Sequence, residues 1–156
     1  MDLQNTPDYI ALYKDDASVN GNQYSWNIPN NYFSSARGNK CYVSLAQVIM
    51  SSPDTNEVIV KYHGGANAST SDKNSNVLAL LSMSNPHNQN SGHLQFSGSE
   101  QINLLINARP STITISTNNL DNSSYVPTDA VFVLKFTYLD SETSNMDYSN
   151  TLYQKL

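Results

Sequence analysis

Histidine and cysteine are the residues of this chain best suited to chemistry, and their spacing matches no catalytic or metal-binding pattern. Cys41 is the single cysteine, and the three histidines are His63, His87 and His93. His87 and His93 lie six residues apart, which is not the spacing of two metal ligands on one helix, and no cysteine accompanies them. We therefore predict no catalytic residue, no metal site and no cofactor, and a protein that is not an enzyme.

The charged residues and glycines also lack the patterns that bind ions or phosphates. Asp15-Asp16 does not have the spacing of oxygen ligands in a calcium loop. Gly64-Gly65 is followed by neither the lysine nor the helix of a phosphate-binding loop. The eight Lys and Arg residues are scattered and the net charge is −5. Because a surface that follows phosphates needs a basic patch, we expect no nucleic-acid partner.

Aromatic residues give the best functional hint, because the chain has ten Tyr against one Trp and four Phe. Strand tyrosines such as Tyr9, Tyr13 and Tyr24 are expected to cover sheet faces. An aromatic side chain in a polar loop or arm has little intramolecular core to enter, so it is a candidate anchor on a neighbouring chain. The candidates in predicted loops or arms are Tyr32, Phe33, Tyr125, Tyr148 and Tyr153.

A second interpretation of the same loop residues is that they form a carbohydrate-binding site. Tyr32, Phe33 and Tyr125, with nearby Asn residues, could stack on a sugar and hydrogen-bond to it. The composition allows this alternative, since 21 Asn and 22 Ser supply polarity without charge. The same excess is also explained by an AT-rich coding genome and many turns. A carbohydrate-binding module or lectin-like domain, with a glycan as partner, therefore stays open as the alternative.

The element that must organise these residues is the stretch from Thr128 to Asp140. Its even-numbered positions Phe132, Leu134, Phe136 and Tyr138 share one side of an extended chain, and Val131, Val133, Lys135 and Thr137 share the other. Such a run predicts a central strand. Its aromatic side needs an apolar layer opposite, so the strand implies a sheet packed on a sheet.

Seven or eight further short strands are predicted between turn-rich segments, and no amphipathic helix is. In the strand Cys41 to Met50 the alternation slips by one position at Gln47-Val48-Ile49, which predicts a β-bulge. The class is all-β, a two-sheet antiparallel β-sandwich, and a single jelly roll of about eight strands fits best. The competing immunoglobulin-type sandwich usually takes about 100 residues and a Cys-Trp-Cys core that one Cys cannot supply.

The 156 residues make one domain, divided into an N-terminal arm (1–7), the jelly roll (8–140) and a C-terminal arm (141–156). No apolar run approaches the roughly 20 residues that span a bilayer. The start Met1-Asp2-Leu3-Gln4 has neither the basic residues nor the apolar core of a signal peptide. We expect a soluble protein of the cytosol with no membrane span.

Two segments resemble a known family of structural proteins. The opening strands Tyr9–Tyr13, Tyr24–Pro29 and Cys41–Leu45, and the closing strands Ile113–Ile115 and Val131–Tyr138, resemble small jelly-roll capsid proteins of virophages, polinton-like viruses and related large double-stranded DNA viruses. These segments cover roughly half of the chain. The resemblance implies a non-enzymatic minor capsid, penton or cement subunit of an icosahedral virion, assembled in the host cytoplasm. Its partners would be other capsid proteins and copies of itself.

Overall fold

Ten β-strands form the part of the chain that the computed structural model describes, which is residues 6–29, 31–33, 36, 38–51, 57–63, 76–82, 93–97 and 102–139. A short 3-10 helix, Lys14–Asp16, follows the first strand. No helix in these ranges is both long enough and apolar enough to cross a membrane. The strands are β1 (Asp8–Tyr13), β2 (Ser18–Asn20), β3 (Gln23–Asn27), β4 (Lys40–Ser51), β5 (Glu57–His63), β6 (Val77–Ser82), β7 (His93–Ser97), β8 (Leu104–Asn107), β9 (Thr112–Asn118) and β10 (Ala130–Tyr138).

The strands pair as a long hairpin that has been rolled into two sheets. β1 pairs with β10, β3 with β9, and β5 with β6, all antiparallel. β7 and β8 pair with different halves of β4, so together they act as one interrupted strand. Rolling adds the β10–β4 and β9–β5 pairs, which gives a first sheet ordered β1-β10-β4-β7/β8 and a second ordered β2-β3-β9-β5-β6. This nested wiring is that of a jelly roll, so the predicted fold class is confirmed.

The core lies between the two sheets and is centred on β10. Phe132, Leu134 and Phe136 are fully buried, as the alternation predicts. Tyr24 and Trp26 of the second sheet meet Phe132 of the first, with ring centroids 6.2 and 6.1 Å apart. Such aromatic pairs stabilise the fold beyond the effect of the buried apolar area, so these three rings hold the two sheets together. The Trp26 indole N–H donates to the Tyr13 carbonyl at 2.8 Å, which satisfies its polar atom.

The predicted β-bulge lies in β4. Leu45 is opposite Leu134 and Gln47 is opposite Val133, so Ala46 is the extra residue. Before it, odd-numbered residues such as Val43 face the core. After it, the even-numbered residues do, with Val48 buried. The slip of one position in the sequence is therefore the bulge itself.

Two local elements have no counterpart in the predictions. β2 has three exposed residues and no apolar alternation to reveal it. It pairs with β3 through a turn at Asn20-Gly21-Asn22 in which Gly21 has φ +62°, a conformation that glycine adopts without strain. The 3-10 helix buries no residue, so hydrophobic pattern does not predict it.

Candidate interaction surfaces

The Cys41 thiol is the first candidate for chemistry, and it lies inside the core on β4. Burial raises its pKa to about 11. The thiolate is the reactive form of cysteine, so a neutral buried thiol is a poor nucleophile and a poor metal ligand. Cys41 therefore acts as a small core residue.

His63 is the second candidate, at the end of β5 on the outer face of the second sheet. Its Nε2 is hydrogen-bonded to Ser116 Oγ at 2.8 Å. Burial, with a smaller effect from Lys61, lowers the pKa of the imidazole below 6.5. The described residues hold no group of three or more His, Cys, Asp or Glu side chains that could bind a metal. His87 lies outside the described residues, and only the backbone of His93 is described.

Arg109 lies with His63 beside a cleft of about 310 Å³ at one end of the sandwich. Its guanidinium donates to the carbonyl oxygens of Ala36 at 2.7 Å and Gly38 at 3.1 Å. These bonds tie the loop before β4 to the segment after β8. Both terminal nitrogens of Arg109 thus donate to the backbone and hold these two segments together.

The structure places the neighbouring aromatic residues Tyr32 and Phe33 in different environments. Phe33 is 2% exposed and packs edge-on against Phe136, with ring centroids 4.9 Å apart. The expectation that it has little core to enter is therefore wrong for this residue. Tyr32 is 38% exposed and stacks edge-on against Phe33, and its hydroxyl donates to the Tyr9 carbonyl.

Tyr125 lies at the opposite end of the sandwich from Tyr32. It is half-buried, and its hydroxyl donates to the Ser51 carbonyl at 2.6 Å. Tyr9, which Tyr32 contacts, pairs with Lys135 of β10, whereas Met50, next to Ser51, pairs with Ala130 of β10. The contacts of Tyr32 and Tyr125 therefore lie about 16 Å apart along β10. Tyr32, Phe33 and Tyr125 therefore do not form one sugar-stacking platform. Tyr148 and Tyr153 lie outside the described residues.

The outer face of the first sheet carries a set of apolar side chains, which we call the outer apolar face. Tyr13, Val131 and Ile49 form one row across β1, β10 and β4, and Ala11 and Val133 begin the next row. Tyr13 is 52% exposed and Ile49 is 38% exposed. A groove of about 260 Å³ lies beside this row. The apolar residues of the face are Tyr9, Ala11, Tyr13, Tyr42, Ile49, Val131 and Val133, and Gln47, Lys135 and Thr137 lie among them.

Sequence reasoning noted Val131 and Val133 but did not identify this face. The available signal was that β10 is apolar on both of its sides, a pattern of strands covered on both faces. The partners of Val131 across the sheet, Tyr13 and Ile49, are far away in the sequence. A strand pattern alone cannot show that these three residues form a row.

The outer face of the second sheet is polar at its centre, with the apolar side chain of Leu80 at its β6 edge. Ser25 and Thr114 hydroxyls are hydrogen-bonded to each other across β3 and β9 at 2.8 Å. Lys61 Nζ donates to Asn122 Oδ1 at 2.8 Å. Gln23 and Asn27 are exposed at the two ends of β3. The first sheet therefore presents an apolar row on its outer face, whereas the centre of the second sheet presents polar side chains.

No protein-family model and no curated protein matches the sequence. Among solved structures, the chain is similar to the virus-like particle of extra small virus of the giant freshwater prawn Macrobrachium rosenbergii, with 11% identity over 86% of this chain and 80% of that one and a TM-score of 0.27. It is also similar to a structure of Mud Crab Dicistrovirus, with 14% identity over 88% and 76% of the two chains and a TM-score of 0.29. Because both TM-scores are low, we infer function from the chain's own geometry.

Proposed function

We propose that this chain is a non-enzymatic structural subunit of an icosahedral viral capsid, of the minor capsid, penton or cement type. It acts by packing against other capsid proteins and copies of itself, first in the host cytoplasm and then in the virion. The observation that carries the proposal is the outer apolar face. Single exposed apolar residues are common on proteins, but here Tyr13, Val131, Ile49, Ala11 and Val133 are neighbours, as in a contact surface.

The area of the outer apolar face indicates what kind of contact it can make. Three strands about 4.8 Å apart, over the five residues from Tyr9 to Tyr13 at about 3.3 Å each, give roughly 240 Å² in projection. A stable pairwise interface buries about 800 Å² on each partner. The face is therefore one part of a larger contact, as expected for a subunit with neighbours on several sides.

The segments that carry the resemblance to capsid proteins also support the proposal. Tyr9–Tyr13 and Val131–Tyr138 become β1 and β10, which pair with each other along their length. These two strands supply five of the seven residues of the outer apolar face: Tyr9, Ala11, Tyr13, Val131 and Val133. Two of the segments that resemble capsid proteins thus build most of the outer apolar face.

Two measurements test this function. We expect the purified chain to have a solution mass above the 17.2 kDa of one copy, or to bind a major capsid protein, and to co-purify with virus particles at a fixed copy number. Quantitative mass spectrometry of purified particles measures that number. Removal of residues 1–7 or 141–156 should weaken assembly, because we propose that both arms hold neighbouring subunits. A monomer that never enters particles would contradict the proposal, and so would truncated chains that assemble as well as the full chain.

A further inference from the structure

The strand β6 forms one edge of the second sheet. It pairs with β5 on one side, and in the described part of the chain no strand pairs with its other side. Its sequence, Val-Leu-Ala-Leu-Leu-Ser, contains no charged residue, no proline and no glycine. A strand edge exposes unpaired N–H and C=O groups, so an uncharged apolar edge is a template for another strand.

The other sheet edges carry features that discourage pairing. β2 has only three residues. The edge made by β7 and β8 is interrupted between residues 97 and 104. β1 starts at Asp8, directly after Pro7. Short strands, irregular edges, proline and charge are the usual means of protecting an edge. In β6 the one such feature is an irregularity at Leu78, and the strand from Ala79 onward has none.

Side-chain burial along β6 shows which part of the strand is available. Leu78, Ala79 and Leu81 are buried, whereas Leu80 is 62% exposed on the outer face. The register with β5 shifts so that Leu78 is an extra residue at the start of the strand. The regular part is therefore Ala79 to Ser82. It is held in place by buried neighbours and displays one large apolar side chain.

We propose that β6 pairs antiparallel with β6 of a second copy of this chain, which joins the two second sheets into one continuous sheet. A two-fold axis perpendicular to the sheet reverses the strand direction and keeps both interior layers on the same side. The antiparallel pair satisfies the backbone groups of both edges. Because β6 carries no charge, pairing with itself brings no like charges together.

This dimer would bring the exposed Leu80 side chains of both copies close to each other on the outer surface. Residues opposite or diagonal across an antiparallel pair have Cβ atoms about 5 to 8 Å apart. The contact removes the most exposed large apolar side chain of the second sheet from water. The surface is separate from the outer apolar face, which belongs to the first sheet. The inference therefore goes beyond the proposed function and can fail independently of it.

A charge at position 80 tests the pairing. Leu80→Lys places two like charges together in the dimer, and the fold should tolerate it because the side chain is mostly exposed. Val19→Lys is the control for the added charge, since Val19 is 51% exposed on β2 at the opposite edge of the same sheet. In sedimentation equilibrium we expect wild type and Val19→Lys to dimerise, and Leu80→Lys to have a dissociation constant at least about tenfold higher.

Cross-linking gives a second test that does not depend on the folding of the lysine variant. The natural Cys41 is buried with a raised pKa, so Leu80→Cys adds the one accessible thiol of the described chain. We expect Leu80→Cys to form a covalent dimer under mild oxidation at concentrations where Val19→Cys does not. The inference is overturned if wild type stays monomeric at every soluble concentration and Leu80→Cys does not cross-link. It is equally overturned if the dimer survives Leu80→Lys and is lost in Tyr13→Lys.

Discussion

Phe33 belongs to a loop in the sequence and to the core in the structure. The segment that holds it, between β3 and β4, has no alternation from which its path could be predicted. Its ring is placed by Phe136, which is more than one hundred residues away in the chain. A loop aromatic cannot be assigned to core or interface from its own sequence neighbourhood, because the deciding contact is distant.

Replacing Phe33 tests whether it is a core residue or an interface residue. Phe33→Ala should lower the free energy of unfolding by about 3 to 5 kcal/mol, because it removes a buried ring and leaves a cavity. Tyr32→Phe is the control, since it keeps the ring and removes only the hydroxyl bond, worth about 1 kcal/mol. Urea unfolding followed by circular dichroism measures both. Equal stability of Phe33→Ala and wild type would mean that Phe33 does not lie in the core.

His63 should make stability depend on pH. Its pKa is lowered in the folded state, by burial first and by Lys61 second, so the unfolded chain takes up this proton more readily. The contribution of His63 to stability is therefore complete above pH 6.5 and is lost as the pH falls below that value. His63→Gln keeps a hydrogen-bonding group near Ser116 but cannot titrate. The melting temperature of wild type should fall relative to that of His63→Gln on acidification, and parallel curves would contradict this.

Strand positions could largely be predicted from the sequence, and strand pairing could not. Alternation is local, so β10, β4 and the slip at Gln47-Val48-Ile49 are visible in their own residues, whereas Ala46 is identified as the extra residue by the strand register. The nesting of β1 with β10 depends on contacts across most of the chain. That β7 and β8 share β4 as partner has no sequence signal either. The outer apolar face depends on this pairing, which is why it emerges only from the structure.

The bulge at Ala46 can be tested by deleting the residue. Leu45 and Gln47 lie opposite Leu134 and Val133, which are adjacent in β10, so the deletion converts the bulge into a regular ladder. Val48 and Met50, 0% and 1% exposed, then keep their places on the core face. We expect the deletion variant to stay folded by circular dichroism, as should Ala46→Ser, which keeps the residue count. An unfolded deletion variant would mean that Ala46 is not the extra residue of β4.

As a whole, the molecule is a sandwich with two unlike outer surfaces. The centre of the second sheet carries hydroxyl and amide groups, such as those of Ser25 and Thr114, which are hydrogen-bonded to each other. The first sheet carries the row Tyr13, Val131 and Ile49. Hydration of the polar surface costs little free energy, whereas burial of the apolar surface against another protein lowers the free energy. This asymmetry gives a subunit a preferred orientation in an assembly.

Adding charge to the outer apolar face tests this preferred orientation at the scale of the whole molecule. The double variant Tyr13→Lys with Ile49→Lys places two charges in the apolar row, on either side of Val131. The control, Gln23→Lys with Asn27→Lys, makes the same change in net charge at exposed positions of the second sheet. Surface substitutions usually change stability by less than about 0.5 kcal/mol, so both variants should melt near wild type.

The two variants should differ in assembly. Desolvating two lysines under a partner is costly, so the first-sheet variant should stay out of particles while the second-sheet variant enters them at the wild-type copy number. Electron microscopy and mass spectrometry of purified particles measure this difference. Equal incorporation of both variants would show that the outer apolar face is not the surface by which the subunit is held.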